Sequence, residues 1–376
     1  MTATNESTAA ESGQQLRVGL VVFEEPERIS GHRRYIRSLA AALGELGASI
    51  VWVPIETKGY GLDIIEGFGM DVAESLALHR VDVFLVDEAC HAALRRWSRR
   101  MRPPSRMPRQ VAIVQELKSA APGLAPTFFW PFELRFLGTM DGCVFAGRRA
   151  QAQVDRMLGR RPNSILAPPG GDHLEAKISD ERITSRASDP SSLRLLFLGH
   201  VTPEKGLHHL LAALERWPSG AWQLEVAGSL ELAPKYAALM QARVNAANLG
   251  ERVNFQGVVQ DELLLRLLSR SHAMVMPGVN RGIGLAYLEA MGFGLPVIAA
   301  QNGPAVDMVT DGVDGYLVKP EDPQSILGAL QPWARDRNSL LRMSLAARRR
   351  YVAQPSWRAT ASQLLPWLSS ISGLRG

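Results

Sequence analysis

Cysteine is nearly missing from this chain: its 376 residues hold two, Cys90 and Cys143, each within or beside an apolar run. That excludes a disulfide-stapled scaffold and fits a reducing compartment. No apolar run reaches the roughly 18 residues that a membrane-spanning helix needs. The polar start, MTATNESTAAESGQQ, lacks both the basic region and the apolar core of a secretory signal. A cytoplasmic location is therefore expected, with residues 1–15 as a disordered lead. No group of His, Cys, Asp and Glu has the spacing of a metal site, and no internal repeat is visible, so neither a metal nor a solenoid is expected. Acid is missing locally too. Between Arg95 and Arg109 the chain carries Arg96, Arg99, Arg100, Arg102 and Arg106 with no Asp or Glu among them. Such a run is either a solvated face or a dock for an anionic membrane surface, with Trp97 as an interfacial anchor. The net charge of +5 suits anionic ligands but is too mild to imply nucleic acid.

What is present is ordinary for a globular protein: 46% of residues are apolar, and the length leaves room for two domains. The chain is punctuated most densely from Pro277 to Val309, PGVNRGIGLAYLEAMGFGLPVIAAQNGPAVDMV. A short apolar run precedes it, as a buried strand would. Gly278, Gly282, Ile283 and Gly284 then make a glycine-rich loop. Leu285, Leu288 and Met291 follow at helical spacing, and LPVIAA is a second strand. A glycine-rich loop that opens a helix favours an anion through its N–H groups and the helix dipole. Glu289 sits on that helix among apolar neighbours, either solvated or accepting hydrogen bonds from a diol such as ribose.

Elsewhere the strands LRVGLVVF, SIVWVPI, VDVFLVDE and QVAIVQE alternate with helical patterns, which predicts a doubly wound α/β domain. Gly31 opens the first helix; it either lets backbone approach a ligand phosphate or makes a tight turn. The aromatic stretch PTFFWPFELRFLGTM, residues 126–140, is an acceptor pocket, a lid or an irregular packed loop. Residues 176–193 are polar and charged, with a Pro-Ser-Ser end, and are expected to be a linker. The strand LRLLFLG then leads through His200 and Lys205 into a helix with Leu207, Leu210, Leu211 and Leu214 on one face.

These pieces together resemble the retaining family 4 glycosyltransferases, whose donor-site signature is close to EGFGLPVLEAMACGLPVV. Glu289 matches its second glutamate, and AMGFGLPVIA follows almost letter for letter; Arg281 stands where the family has its first glutamate. PEKG matches the loop in which the family grips a diphosphate, with Lys205 at the lysine and His200 replacing an arginine. Gln115 falls where many members have a histidine near the reacting sugar. The resemblance implies a GT-B fold: two doubly wound, Rossmann-like domains facing across a cleft. It puts the acceptor-side domain at residues 16–175 with a returning helix at 355–376, and the donor domain at 194–354. It implies metal-independent transfer of a sugar from a nucleotide-diphospho-sugar to a small-molecule or glycan acceptor, with retention. Lys205, Arg281, His200 and Gln115 would be catalytic. Glu289, Gly282, Ile283, Gly284, Leu285 and Gly31 would hold the donor. The three departures leave open a non-catalytic relative that binds nucleotide or partners an enzyme.

Overall fold

The architecture is taken from a computed structural model that describes residues 15–24, 31–57, 63, 79–95, 108–120, 125–172, 174, 176–217, 220–279 and 282–373. The chain divides into two compact units. The first comprises Met1–Ile29, Ile36–Pro168 and Arg358–Gly376; the second comprises Ser30–Tyr35 and Pro169–Trp357.

In the first unit, β1 (Arg17–Phe23), β2 (Ser49–Ile55), β3 (Val83–Asp87), β4 (Arg109–Val114), β5 (Gly142–Phe145) and β6 (Ser164–Leu166) form one parallel sheet in the order β2-β1-β3-β4-β5-β6. Every residue of β3 and β5 is buried, which is why these strands are continuous apolar runs rather than alternating ones. Helix α1 (Gly31–Glu45) follows β1 and buries Tyr35, Ile36, Leu39, Leu43 and neighbouring alanines. The aromatic stretch proves to be regular: α2 runs from Ala125 to Thr139 with Pro131 inside it. Its buried Glu133 accepts from the N–H groups of Lys118 at 2.6 Å and Ser119 at 3.1 Å, and Phe136 and Leu137 face the core. Helix α3 (Arg148–Leu158) precedes β6. At the far end of the chain, the carbonyl of Pro168 accepts from Thr360, and Ile371 and Trp367 press on Gly142.

The second unit repeats the plan. Its strands are β7 (Leu193–Leu198), β8 (Trp222–Ala227), β9 (Val253–Gly257), β10 (Ala273–Met276), β11 (Val297–Ala300) and β12 (Gly315–Val318), parallel and ordered β12-β11-β10-β7-β8-β9. The connecting helices include α4 (Asp180–Ser188), α5 (Leu207–Leu214), α6 (Pro234–Ala246), α7 (Asp261–Arg270), α8 (Leu285–Gly292), α9 (Ala305–Met308), α10 (Pro323–Arg335) and α11 (Arg337–Val352); α12 (Trp357–Ser372) ends the chain. Trp222 and Trp333 are the largest side chains of the core.

The stretch expected to be a linker contains α4, capped by Ser179, whose hydroxyl accepts from the Arg182 N–H. Ile183 and Ala187 are fully buried, and α4 packs along α11. The stronger tie is Arg186. Its guanidinium donates to the carbonyls of Leu268 and Ser269 in the last turn of α7 and of Phe293 and Gly294 just past α8. Those carbonyls lack partners within their own helices, and a cation there also meets the negative end of two helix dipoles. Burial, then Arg194 and Arg182, lower the Arg186 pKa to about 10, which leaves it charged at neutral pH. Beside it, buried His272 accepts at Nδ1 from the Arg194 N–H, 2.9 Å, so Nε2 donates to the Arg186 carbonyl, 2.9 Å. The ring is thereby held neutral. Burial and the positive charges of Arg194 and Arg337 lower its pKa from 6.5 to about 3.

In each sheet the strand order reverses once: between β1 and β3, and between β7 and β10. Ligands of open α/β sheets bind outside the carboxyl ends of the strands at that point. In the second unit the loops that leave β7 and β10 touch through backbone. A Cβ on Gly278 would lie 2.1 Å from the Glu204 carbonyl oxygen and 2.2 Å from the Lys205 carbonyl carbon. One on Gly206 would lie 2.7 Å from the Gly278 N and Cα. No side chain fits between the loops.

Two outcomes follow. Between the two pKa values of His272 the unfolded ring holds a proton that the folded ring lacks. Stability should therefore fall as pH drops from about 6.5 toward 3, by at most about 1.4 kcal/mol per pH unit from this group. Urea unfolding at several pH values should show a flatter slope for His272→Gln. Gly278→Ala must force the two loops apart and should cost about 1–3 kcal/mol. Gly328→Ala, in α10 with nothing within 4 Å of the new carbon, is the control and should be neutral or stabilising by up to about 1 kcal/mol.

Candidate functional site

The site is built where β7 and β10 end. After Leu198 the backbone passes Gly199 and His200, and Val201 donates to the Ser229 carbonyl at 2.9 Å, which ties this loop to the end of β8. Pro203–Lys205 then makes a 3₁₀ turn that closes on Gly206, whose left-handed φ of 74° starts α5. Lys205 is half-buried, and its stem runs back over the end of β7. Its Cδ and Cε lie 3.8 and 3.9 Å from where a Cβ of Gly199 would be, beside the Met276 sulfur at 3.2 Å. The ammonium is thus carried at the mouth of the reversal point on a stem that packing restrains.

The loop after β10 supplies the facing wall. Pro277 and Gly278 lie against the Lys205 turn. Asn280 and Arg281 fall outside the described residues, so the sequence expectation for Arg281 meets no geometry here. Gly282 has φ 95° and Gly284 φ 74°. Gly284 is the N-cap of α8, and its left-handed φ is what requires glycine; a Cβ there would also meet the Met308 side chain at 2.7 Å, which can move aside. Ile283 and Leu285 are buried and anchor the loop. Having glycine at its cap, α8 begins without a side-chain acceptor for its first N–H groups. Such a helix start is an anion-binding element.

One turn along α8, Glu289 is buried. Its Oε1 accepts from Nη1 of Arg34 in an ion pair. Arg34 belongs to the short stretch Ser30–Tyr35 that groups with the second unit. Sequence reasoning missed this partner. The signal available was three basic residues, His32, Arg33 and Arg34, in the first turn of α1 with no acid there, against the helix dipole. Gly31 begins α1 and is exposed; its φ is not left-handed, and a Cβ there would meet nothing within 4 Å. Among the described residues, the fold therefore makes no demand for glycine at that position.

Gln115 lies in the first unit, one residue past β4, and is buried. Its N–H and that of Glu116 donate to Oε1 of Glu88 at 3.1 and 3.2 Å. Glu88, also buried, begins a 3₁₀ turn after β3, and its carbonyl lies 2.7 Å from Nδ1 of buried His91. Burial is the largest influence on His91 and lowers its pKa. Glu88 and His91 were not singled out from the sequence, although VDEACH places an acid directly after an apolar strand.

The second unit thus brings together Lys205, His200, Gly282, Ile283, Gly284, Leu285 and Glu289 on the loops and helix at one reversal point, while Gln115 belongs to the first unit.

Known proteins resemble this chain in sequence or in fold. Residues 179–350 match the family model described as Glycosyl transferases group 1. The D-inositol 3-phosphate glycosyltransferase of Nocardia farcinica is 31% identical over 246 residues, which is 62% of this chain and 53% of that protein. The chain spans about half the length of the curated relatives it matches. Among solved structures, sucrose-phosphate synthase from Thermosynechococcus elongatus superposes with a TM-score of 0.78 at 20% identity, covering 96% of this chain and 100% of that one. Anabaena Alr3699/HepE, crystallised in complex with UDP-glucose, gives 0.74 at 16% identity, covering 95% and 100%. With its two parallel sheets and its glycine loops the chain has the GT-B fold, and its residues 179–350 are similar to the glycosyl transferases group 1.

Proposed function

We propose that the protein is a glycosyltransferase that moves a hexose or related sugar from a nucleotide-diphospho-sugar to an acceptor, with retention of configuration and without a metal. One observation carries the reading. The Lys205 stem lies over the end of β7 while its own turn packs on Gly278, and α8, which follows the same β10 loop, starts at Gly284 without a side-chain cap. A fixed cation and a set of helix N–H groups then serve one place. That is what a leaving diphosphate requires, because negative charge develops there and dipoles already aimed at it need no reorganisation.

Lys205 neutralises the diphosphate, and His200 lines the same loop where the family has an arginine. Arg281, the residue directly before the Gly282–Ile283–Gly284 turn, shares the neutralisation or grips a carboxylate on an acidic sugar; its planar fork bonds two oxygens at once. Glu289 accepts from the ribose diol. Gly31, where the fold makes no demand for glycine, leaves room for a phosphate against backbone. Gln115 offers a hydrogen-bonding group, not a titrating one, toward the sugar. The acceptor oxygen attacks C1 as the C1–O bond to the diphosphate breaks on the same face, and a donor phosphate oxygen takes the acceptor's proton. No protein nucleophile and no further cofactor are needed.

The acceptor is a small molecule or a glycan. Phe128 and Trp130 on α2 are about half exposed and offer apolar surface on the acceptor-side unit. Arg95–Arg109 is the segment for a peripheral contact with an anionic membrane; its residues 96–107 lie outside the described residues. No described helix is long and apolar enough to cross a membrane. We assign the reaction to the cytoplasm and no role to nucleic acid.

Binding tests the site. UDP, GDP and ADP are screened by calorimetry, and for whichever binds, Lys205→Ala and Glu289→Ala should each weaken affinity by about 1.5–3 kcal/mol, the range for hydrogen bonds to charged groups. Parental affinity in both variants would remove the assignment. Turnover tests the chemistry. Transfer should survive EDTA, and the product anomer seen by NMR should match the donor's; an inverted product would exclude the mechanism.

A further inference from the structure

The ion pair on Glu289 points beyond the donor contact itself. A carboxylate on an otherwise apolar helix is costly to bury, and more so when it must be ionised and correctly turned before any ligand arrives. Glu289 meets that requirement through Arg34, 255 residues away in sequence. Arg34 is itself poorly placed by local rules: it sits in the first turn of α1, where the helix dipole disfavours a cation and no acid of that turn offsets it. Each charge is unfavourable in its own helix and favourable beside the other. Glu289 is almost wholly buried, whereas the Arg34 side chain keeps 24% of its exposure, so the arginine reaches inward from the more open side.

We propose that Arg34 is a positioning residue for nucleotide recognition: it holds the Glu289 carboxylate ionised and oriented so that the ribose 2′- and 3′-hydroxyls can donate to it. The inference rests on the assignment of Glu289 to the ribose. A carboxylate has about four acceptor positions, so it takes an arginine N–H together with a diol. The guanidinium is permanently charged and its direction is set by a planar fork, so it fixes the rotation of the carboxylate as well as its charge. A lysine would preserve the charge and lose that direction. Arg34 thereby makes discrimination between ribose and deoxyribose a property of two residues, one of which touches no nucleotide.

The test measures sugar discrimination rather than affinity alone, because a merely structural role would weaken ribo- and deoxyribonucleotides alike. UDP, GDP and ADP and their 2′-deoxy forms are titrated calorimetrically into the full-length protein and its Arg34→Met, Arg34→Lys and Glu289→Ala variants, with melting temperatures recorded in parallel. For the nucleotide that binds, the parent should prefer the ribo form by about tenfold, the worth of one charge-assisted hydrogen bond. Glu289→Ala should bring that ratio to about one. Arg34→Met should reduce it to within about threefold, Arg34→Lys should restore part of it, and Arg34→Met combined with Glu289→Ala should be no worse than Glu289→Ala alone. If Glu289→Ala abolishes the preference and Arg34→Met leaves it at the parental value, the role of Arg34 is wrong and the ribose assignment stands. If Glu289→Ala keeps the preference, the ribose assignment itself fails, as it does if none of the three nucleotides binds. Should Arg34→Met not fold, the Lys variant decides: an unchanged ratio there overturns the directional role.

Discussion

The second unit depends on a contact in which two backbones approach closer than any side chain allows. The turn at Glu204–Lys205 lies against Gly278, and Gly206 meets the same glycine from the other side. β7 and β10 are hydrogen-bonded neighbours, so their loops emerge less than two strand spacings apart. One loop folds back as a 3₁₀ turn and the other must pass in front of it. With glycine on both sides, the separation is set by main-chain radii and does not vary with rotamers. Lys205 inherits its position from that contact, and so does the start of α8. The Lys205 turn and the Gly278 backbone are therefore fixed against each other by the frame.

Charge is placed along α8 with the same economy. Its N-terminal N–H groups face the loop under a glycine cap that offers them no acceptor. Its last carbonyl, that of Gly292, accepts from Arg348, and Arg186 covers the Phe293 and Gly294 carbonyls just beyond it together with the Leu268 and Ser269 carbonyls of α7. Glu289, between the two ends, is balanced by Arg34. The negative end of the dipole and the buried carboxylate thus each have a cation of their own. The positive end keeps its pull for an incoming anion. Neutral His272, locked by one donated and one accepted hydrogen bond, holds the main chain on either side of Arg186 and Arg194 without adding a charge to that crowded cationic corner.

How much of this could be read from the chain depends on range. The strands were legible because both faces of each sheet are covered, and LRLLFL, AMVM and VIAA are therefore continuous apolar runs. The loop and helix around Glu289 were legible because glycine spacing and a helical period coincide in one short stretch. α2 was not: Pro131 interrupts its hydrogen bonding, and aromatics on every side erase the period that marks a helix. α4 was not, since its apolar side is two residues wide and its chief anchor is an arginine, which sequence patterns assign to solvent. Arg34 was the least legible, because nothing near it in sequence indicates a partner on a helix in the far half of the chain.

The departures from the family pattern fall in a particular class. His200, Arg281 and Gln115 are positions whose contribution is a side chain, while Gly206, Gly278 and Gly284 contribute the absence of one. A change at Gly206 or Gly278 alters the frame, because a single carbon meets backbone within 2.1–2.7 Å, and one at Gly284 is strained by its left-handed φ. A change at the other three alters the side chain that the position offers. On the proposed reading, such a site could exchange an arginine for a histidine and a glutamate for an arginine while keeping its lysine and its buried carboxylate. If the donor reading holds, such a substitution pattern would shift preference among donors more readily than it would remove donor binding.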